Sequence, residues 1–199
     1  MSRSSRQEAE VNRERAVAEA ARIFRERGVD RTGIAEVMGS IGLTHGAFYS
    51  HFESKEALVA QACEHAFTRA TNMWLSCLEQ GQDASGQILS DVIEHYLSPS
   101  HRDKPGTGCP GAALAIDAAR DQPDGPLRGA FVAGIRGMIS ALARMMPASL
   151  SSAARRERAL VTTATMLGAI TIARGASGDA LSEEILAAVR KTLVGGRRR

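Results

Sequence analysis

Apolar residues recur along this chain at intervals of three and four. No stretch shows the period of two that marks a half-buried strand. Between residues 8 and 27, Val11, Ala16, Val17, Ala20, Ala21, Ile23 and Phe24 fall close to helical spacing with Arg and Glu between them, and Gly28 supplies a stop. A short helix is predicted over about 33–40, with Thr32 as its cap. Thr44 caps another over about 45–52, and Ser54 caps a long one over 55–79, which Gly81 ends. In the long helix Leu58, Val59, Ala62, Ala66, Phe67, Ala70, Trp74, Cys77 and Leu78 make one apolar face. Further helices are predicted over 86–97, 111–120, 127–146, 152–174 and 182–193, the last capped by Ser182. The segment SPSHRDKPGTGCPG, with three Pro and three Gly, reads as a loop. The pattern is that of an all-α protein.

Two short helices joined by a Gly-containing turn, behind a longer supporting helix, form a helix-turn-helix. Gly42 permits the turn, and Val37, Ile41, Leu43 and Phe48 are its expected small core. His45, Ala47, Tyr49, Ser50 and His51 are left to face outward. A surface helix this short buries little, so its slenderness suits the DNA major groove, about 12 Å wide. Gly46 and Ala47 keep its leading turn slim. Tyr49, His51 and Lys55 are candidate phosphate donors, His45 and Ala47 candidate contacts to base edges, and Thr32 and Thr44 lie beside them on the same expected DNA face.

Composition changes this picture little. The 199 residues are 44% hydrophobic with a net charge of +3, ordinary for a chain with a real core. Residues 1–56 hold nine basic and nine acidic side chains, and much of the excess sits in the terminal Arg197–Arg199. Bulk charge therefore carries no claim of nucleic-acid binding; placement must. No apolar run reaches the roughly 20 residues of a membrane span. No signal-peptide core follows the polar start, so a cytoplasmic protein is expected. Three cysteines, Cys63, Cys77 and Cys109, stand far apart, which fits reduced thiols and not a zinc cage. His45 and His51 do not share a helix face, and Ser50–His51 has no acid placed to orient the His, so neither metal binding nor catalysis is expected. Nothing in the pattern calls for a cofactor. A helical protein-interaction module without sequence-specific DNA binding is the rival class.

The segment GLTHGAFYSHFESKEAL resembles the recognition segment of the TetR/AcrR family of bacterial transcriptional regulators, and RERAVAEAARIFRERGVDRTGIAEVMGS resembles its first two helices. Phe24, Gly28, Gly42, Gly46, Tyr49, His51, Phe52, Ser54 and Lys55 carry the likeness; Met38, Gly39 and Ile41 depart from it. GCPGAALAIDAAR and ITIARGASGDALSEEIL are similar to segments in one branch of that family. The resemblance implies an N-terminal three-helix DNA-binding domain (1–56) and a C-terminal effector-binding and dimerisation domain (57–199). It further implies a homodimer through 152–174 and 182–193 that binds an inverted-repeat operator and is released by a small effector. The small apolar stretch Ala159–Ala173 agrees with a close helix pairing.

For such an effector, Phe67, Trp74, Tyr96, Leu114, Phe131, Ile135 and Met138 are the expected pocket residues. Few charges share their faces, so a mainly apolar or weakly polar ligand is expected. Cys109, at the predicted start of a helix, is a candidate redox or electrophile sensor, because a helix N-terminus lowers a thiol pKa. Arg102 or Lys104 would add positive charge beside it. Cys63 and Cys77 are expected to be packing residues.

Overall fold

The computed structural model describes residues 3–80 and 87–195. The expected Gly81 stop and the Arg197–Arg199 tail lie outside the described residues. Within them every regular element is helical: α1 (Arg3–Arg27), α2 (Ile34–Ser40), a 3₁₀ helix (His45–Ser50), α3 (Lys55–Gln80), α4 (Gln87–Tyr96), α5 (Pro99–Arg102), α6 (Pro110–Arg120), α7 (Pro126–Met145), α8 (Ser152–Gly175) and α9 (Ala180–Gly195). None of these helices is long and apolar enough to cross a membrane.

The ends of the elements follow from capping chemistry. α1 stops where Gly28 adopts φ +84° and returns its N–H to Phe24 O at 2.9 Å. The Thr44 hydroxyl accepts from Ala47 N, and the Ser54 hydroxyl accepts from Ala57 N, as the sequence predicts. Two expected caps are corrected. Gly33, not Thr32, precedes α2, and the Thr32 hydroxyl instead donates back to Gly28 O. Ser182 lies inside α9, where its hydroxyl donates to Ala173 O at 2.7 Å; Asp179 accepts from the Leu181 N–H at the helix start. The segment from Ser98 to Pro110 is not wholly irregular, because Pro99 and the Ser98 cap start the single turn of α5.

The core runs through the molecule from α1 to α9. α3 is its spine and is continuous across residues 56 and 57. It packs on both α1 and α7. At Gly134 of α7 a Cβ would stand 2.2 Å from the Phe67 ring, so the glycine lets the two helices close on that aromatic. The Phe67 and Phe131 rings meet edge to face at 5.6 Å. The stretch Ala159–Ala173 divides into two faces. Ala159, Met166, Ala169, Ile170 and Ala173 are buried in the chain's own core, whereas Val161, Ala164, Gly168 and Ile172 form an exposed stripe. Leu181 of α9 is also exposed.

Candidate nucleic-acid interface and internal cavity

The turn after α2 is built around Gly42 at φ +79°, with Gly42 N and Leu43 N returning to Gly39 O and Met38 O. Val37, Met38 and Phe48 are fully buried beneath it, and Ile41 and Leu43 pack at their edge. Arg15 of α1 donates to Ile41 O at 3.0 Å and ties the elbow to the first helix. The segment after the turn is a 3₁₀ helix rather than the α-helix expected. Tighter winding over six residues keeps Phe48 inward while its neighbours point away. Phe48 has no exposed surface, and it stacks on Phe52 at 5.3 Å. Tyr49 is 64% exposed, and its ring meets that of His45 edge to face at 5.8 Å.

Thr44, His45, Gly46, Tyr49 and Ser50 are exposed together on this protruding element, with Ala47 and His51 half-buried beside them. The Ser50 hydroxyl is turned back onto Ala47 O. Two members of the expected DNA face are placed differently. Thr32 is 1% exposed and bonded within the α1–α2 turn, so its side chain is no surface contact. Lys55 is half-buried, and its ammonium donates to Val29 O at 2.9 Å. It is a clasp between α3 and the α1–α2 turn. The same turn is held from the other side, where the Asp117 carboxylate of α6 accepts from Val29 N at 3.1 Å.

Beyond the elbow lies an open cavity of about 870 Å³ between α1 and α3, bordered by the end of α4, the loop 106–109 and Met138 of α7. Of the seven residues expected to line a pocket, it brings together Trp74, Tyr96 and Met138. Phe67 and Phe131 are engaged in the α3–α7 packing, Ile135 lies against Gly111, and Leu114 is buried in the core. The periodicity placed them on inward faces, but it does not distinguish a face against a neighbour from a face against a void.

The expectation of an uncharged wall is corrected as well. Arg15, Glu19, Arg22, Arg25 and Arg69 all line the cavity. Arg22 binds both Glu19 and Glu26 at 2.6 Å. Arg25 crosses from α1 to donate to Gly106 O, while its Nε is buried without a partner. Desolvation lowers its pKa below the usual guanidinium value, and the nearby Arg69 and Arg174 add to that.

Cys109 stands on this wall just before α6, as expected, but with the opposite effect on its thiol. Burial is the largest influence and pushes its pKa up, against the opposing pull of Tyr96, the Ala112 and Gly111 amides and Arg174. The premise that the helix terminus makes it a ready thiolate is reversed. The positive charge beside it is also not the one expected. Arg102 turns away to Asp103 and Glu183, and Arg174 takes the place by donating to Arg102 O and His101 O. Burial likewise raises Cys63, to about 12. Cys77, expected to pack, is exposed.

His101 is the residue here that sequence reasoning missed. Its Nδ1 lies 2.6 Å from Tyr96 O, and its Nε2 accepts from Cys109 N at 2.9 Å. A carbonyl can only accept, so Nδ1 carries the proton and the ring is the neutral Nδ1–H tautomer. Burial lowers its pKa to about 4. One imidazole thus pins the loop to α4 and the start of α6. Among the described residues no group of three or more His, Cys, Asp or Glu could hold a metal ion.

Comparisons with known proteins agree with the elbow's geometry. Residues 16–62 match the family model described as bacterial regulatory proteins, tetR family. The chain is similar to the HTH-type transcriptional regulator YerO of Bacillus subtilis, 32% identical over 91 residues that make up 46% of this chain and 30% of YerO. A second similar protein, the HTH-type transcriptional regulator MT0206 of Mycobacterium tuberculosis, is 27% identical across 81% of this chain and 84% of its own length. In fold it is similar to a TetR transcriptional regulator from Chloroflexus aurantiacus, with a TM-score of 0.74 and 25% identity over 94% of this chain and 96% of that one. An all-helical body stands behind an N-terminal helix-turn-helix, and residues 16–62 of that unit carry the signature of the tetR family of bacterial regulatory proteins.

Proposed function

We propose that the chain is a repressor that binds an inverted-repeat operator as a homodimer and leaves it when a small effector occupies the cavity between α1 and α3. In this reading residues 1–56 serve DNA, and residues 57–199 serve the effector and the partner subunit. The observation that carries it is the division of the 45–50 helix, with Phe48 fully buried and Tyr49 and His45 exposed beside it. A helix so short contributes little to the core beyond Phe48, and the polar ends of His45 and Tyr49 stand in solvent with their rings edge to face. Gly46 and Ala47 leave the backbone free to approach base edges, Thr44, Tyr49 and His51 are donors for phosphates, and His45 reaches towards bases.

The exposed stripe of Val161, Ala164, Gly168 and Ile172 on α8, with Leu181 on α9, supports the dimer. Apolar side chains flanking a glycine allow two helices to pack closely. A two-fold axis there would present two 45–50 helices to one side of a duplex, about 34 Å apart.

The switch is proposed to run through α6. Cys109, the residue that precedes its first turn, lies on the cavity wall, and Asp117 of α6 holds the α1–α2 turn through Val29 N. Lys55 grips the same residue through Val29 O. An effector that displaces the start of α6 would pull on the DNA-binding unit through Asp117. Moving occupancy from 99:1 to 1:99 demands about 5.5 kcal/mol of preference for the released state.

A gel shift with the DNA upstream of the chain's own gene, with and without competitor, tests the reading. A shift that survives nonspecific competitor and maps to an inverted repeat supports it. A protein-interaction module gives no sequence-dependent shift, and that result would sink it.

A further inference from the structure

The charges on the cavity wall are not balanced, and the imbalance points to a ligand class. Glu19 is the one carboxylate on that wall, and Arg22 holds it together with Glu26. Outside that ion pair three guanidinium groups on the wall have no carboxylate, and one of them, Arg15, is bonded to Asn12 Oδ1 and Ile41 O. Arg25 spends one arm on Gly106 O and keeps a buried Nε with nothing to donate to. Arg69 of α3 lines the same space and makes no hydrogen bond or ion pair with the described residues. Apolar side chains line the same space, namely Trp74, Met138, Ala66 and Ala70, and the Tyr96 hydroxyl on that wall is buried and unpartnered.

Arginine presents N–H donors in a planar fork that matches a carboxylate, and a buried donor left unmet is costly. A cavity of about 870 Å³ suits a small organic molecule. We infer that the cavity takes an amphipathic organic carboxylate, its anionic end on Arg25 and Arg69 and its apolar or aromatic body against Trp74 and Met138. This rests on the effector-responsive reading and names the chemistry of that effector. It replaces the uncharged ligand that the apolar faces of the sequence suggest.

The position has a consequence for regulation. Arg25 belongs to α1, and Arg15 and Ile41, which are bonded to each other, also line the cavity. An anion drawn between α1 and α3 therefore lies against the helix-turn-helix itself and not only within the C-terminal body.

Trp74 is the single tryptophan in the chain, so its fluorescence reports the cavity directly. The parent protein is titrated with phenylbutanoate and with the neutral phenylbutanamide. The acid is expected to give a saturable change at a concentration at least about tenfold lower than the amide, the size of one charge-assisted hydrogen bond. Arg69→Gln, at an exposed position, is expected to erase that preference while leaving the amide unaffected. Arg25→Gln is expected to do the same, with Arg25→Lys recovering part of it. Equal binding of acid and amide, no saturable change with either, or an Arg69→Gln protein that keeps the preference would each overturn the inference. A gel shift run in parallel separates the two proposals. Acid that binds through Arg69 without releasing DNA sinks the effector reading and leaves the ligand class standing. Release by the amide that is indifferent to Arg69→Gln sinks the ligand class and leaves the effector reading standing.

Discussion

The elbow at 34–52 and the wall around Cys109 handle polar side chains in opposite ways. At the elbow the chain buries Val37, Met38 and Phe48 and sends Thr44, His45 and Tyr49 into solvent. Around Cys109 it draws Tyr96, His101, Arg25 and Arg174 inward, and each has its titration shifted by burial. A surface meant to meet a highly charged partner keeps its donors hydrated and free. In the proposed reading, a cavity that takes one small molecule holds some of its donors away from water, where each unmet bond weighs more. The cost of the second arrangement is visible in the orphaned Arg25 Nε and Tyr96 hydroxyl.

The widest contrast between the regions should come from adding one methyl group to each. Gly134→Ala drives a Cβ into the buried Phe67 ring and should lower stability by about 1–3 kcal/mol despite the better helix propensity of alanine. Gly46→Ala meets only Thr44 Oγ1 at 3.9 Å, so its stability should stay within about 0.5 kcal/mol while its DNA affinity falls. Thermal melting of both variants checks this. A Gly134→Ala protein as stable as its parent would mean the α3–α7 contact is looser than described.

A middle-sized effect belongs to His101. Its pKa is depressed from 6.5 to about 4 in the folded chain, so the unfolded chain takes up the proton first as pH falls. Its contribution is complete above about pH 6.5 and is lost progressively towards pH 4, on the order of 3 kcal/mol. Arg174 and His95, which also disfavour the imidazolium, act in the same direction. Denaturant midpoints across that window should fall for the parent and flatten for His101→Gln. Parallel curves would show that the imidazole is not the group responsible.

The smallest effect is expected at Tyr96→Phe. Removing a buried hydroxyl without a partner should change stability by less than about 1 kcal/mol, in the stabilising direction if at all. A loss above that would reveal a bond from this hydroxyl, with the Cys109 thiol as its nearest candidate partner.

The same contrast explains what the sequence made legible. The elbow is local: the Thr44 cap, the Gly42 turn and the inward Phe48 lie within a dozen residues, and their chemistry can be read in order. The bounds of α8 were readable for the same reason. The cavity is not local. Arg25 meets Gly106 across 81 positions, and Arg174 meets the carbonyls of His101 and Arg102 across more than 70. Spacing within one helix carries no information about such partners. Phe67 and Trp74 sit on one face of α3, yet one is packed under Gly134 and the other borders the cavity. The sequence could not place the Lys55 ammonium on Val29 O, because that acceptor belongs to a turn whose position only the folded chain defines.

The outward face of the 45–50 helix bears most of the functional reading, and Tyr49 is the large apolar side chain exposed there. Fluorescence anisotropy with a duplex selected from random sequence by the parent protein, repeated with Tyr49→Ala, tests it most directly. The variant should melt with the parent and bind every duplex about tenfold more weakly, with a shallower dependence on salt. Unchanged affinity in a folded Tyr49→Ala protein would mean that DNA meets a different face of the molecule.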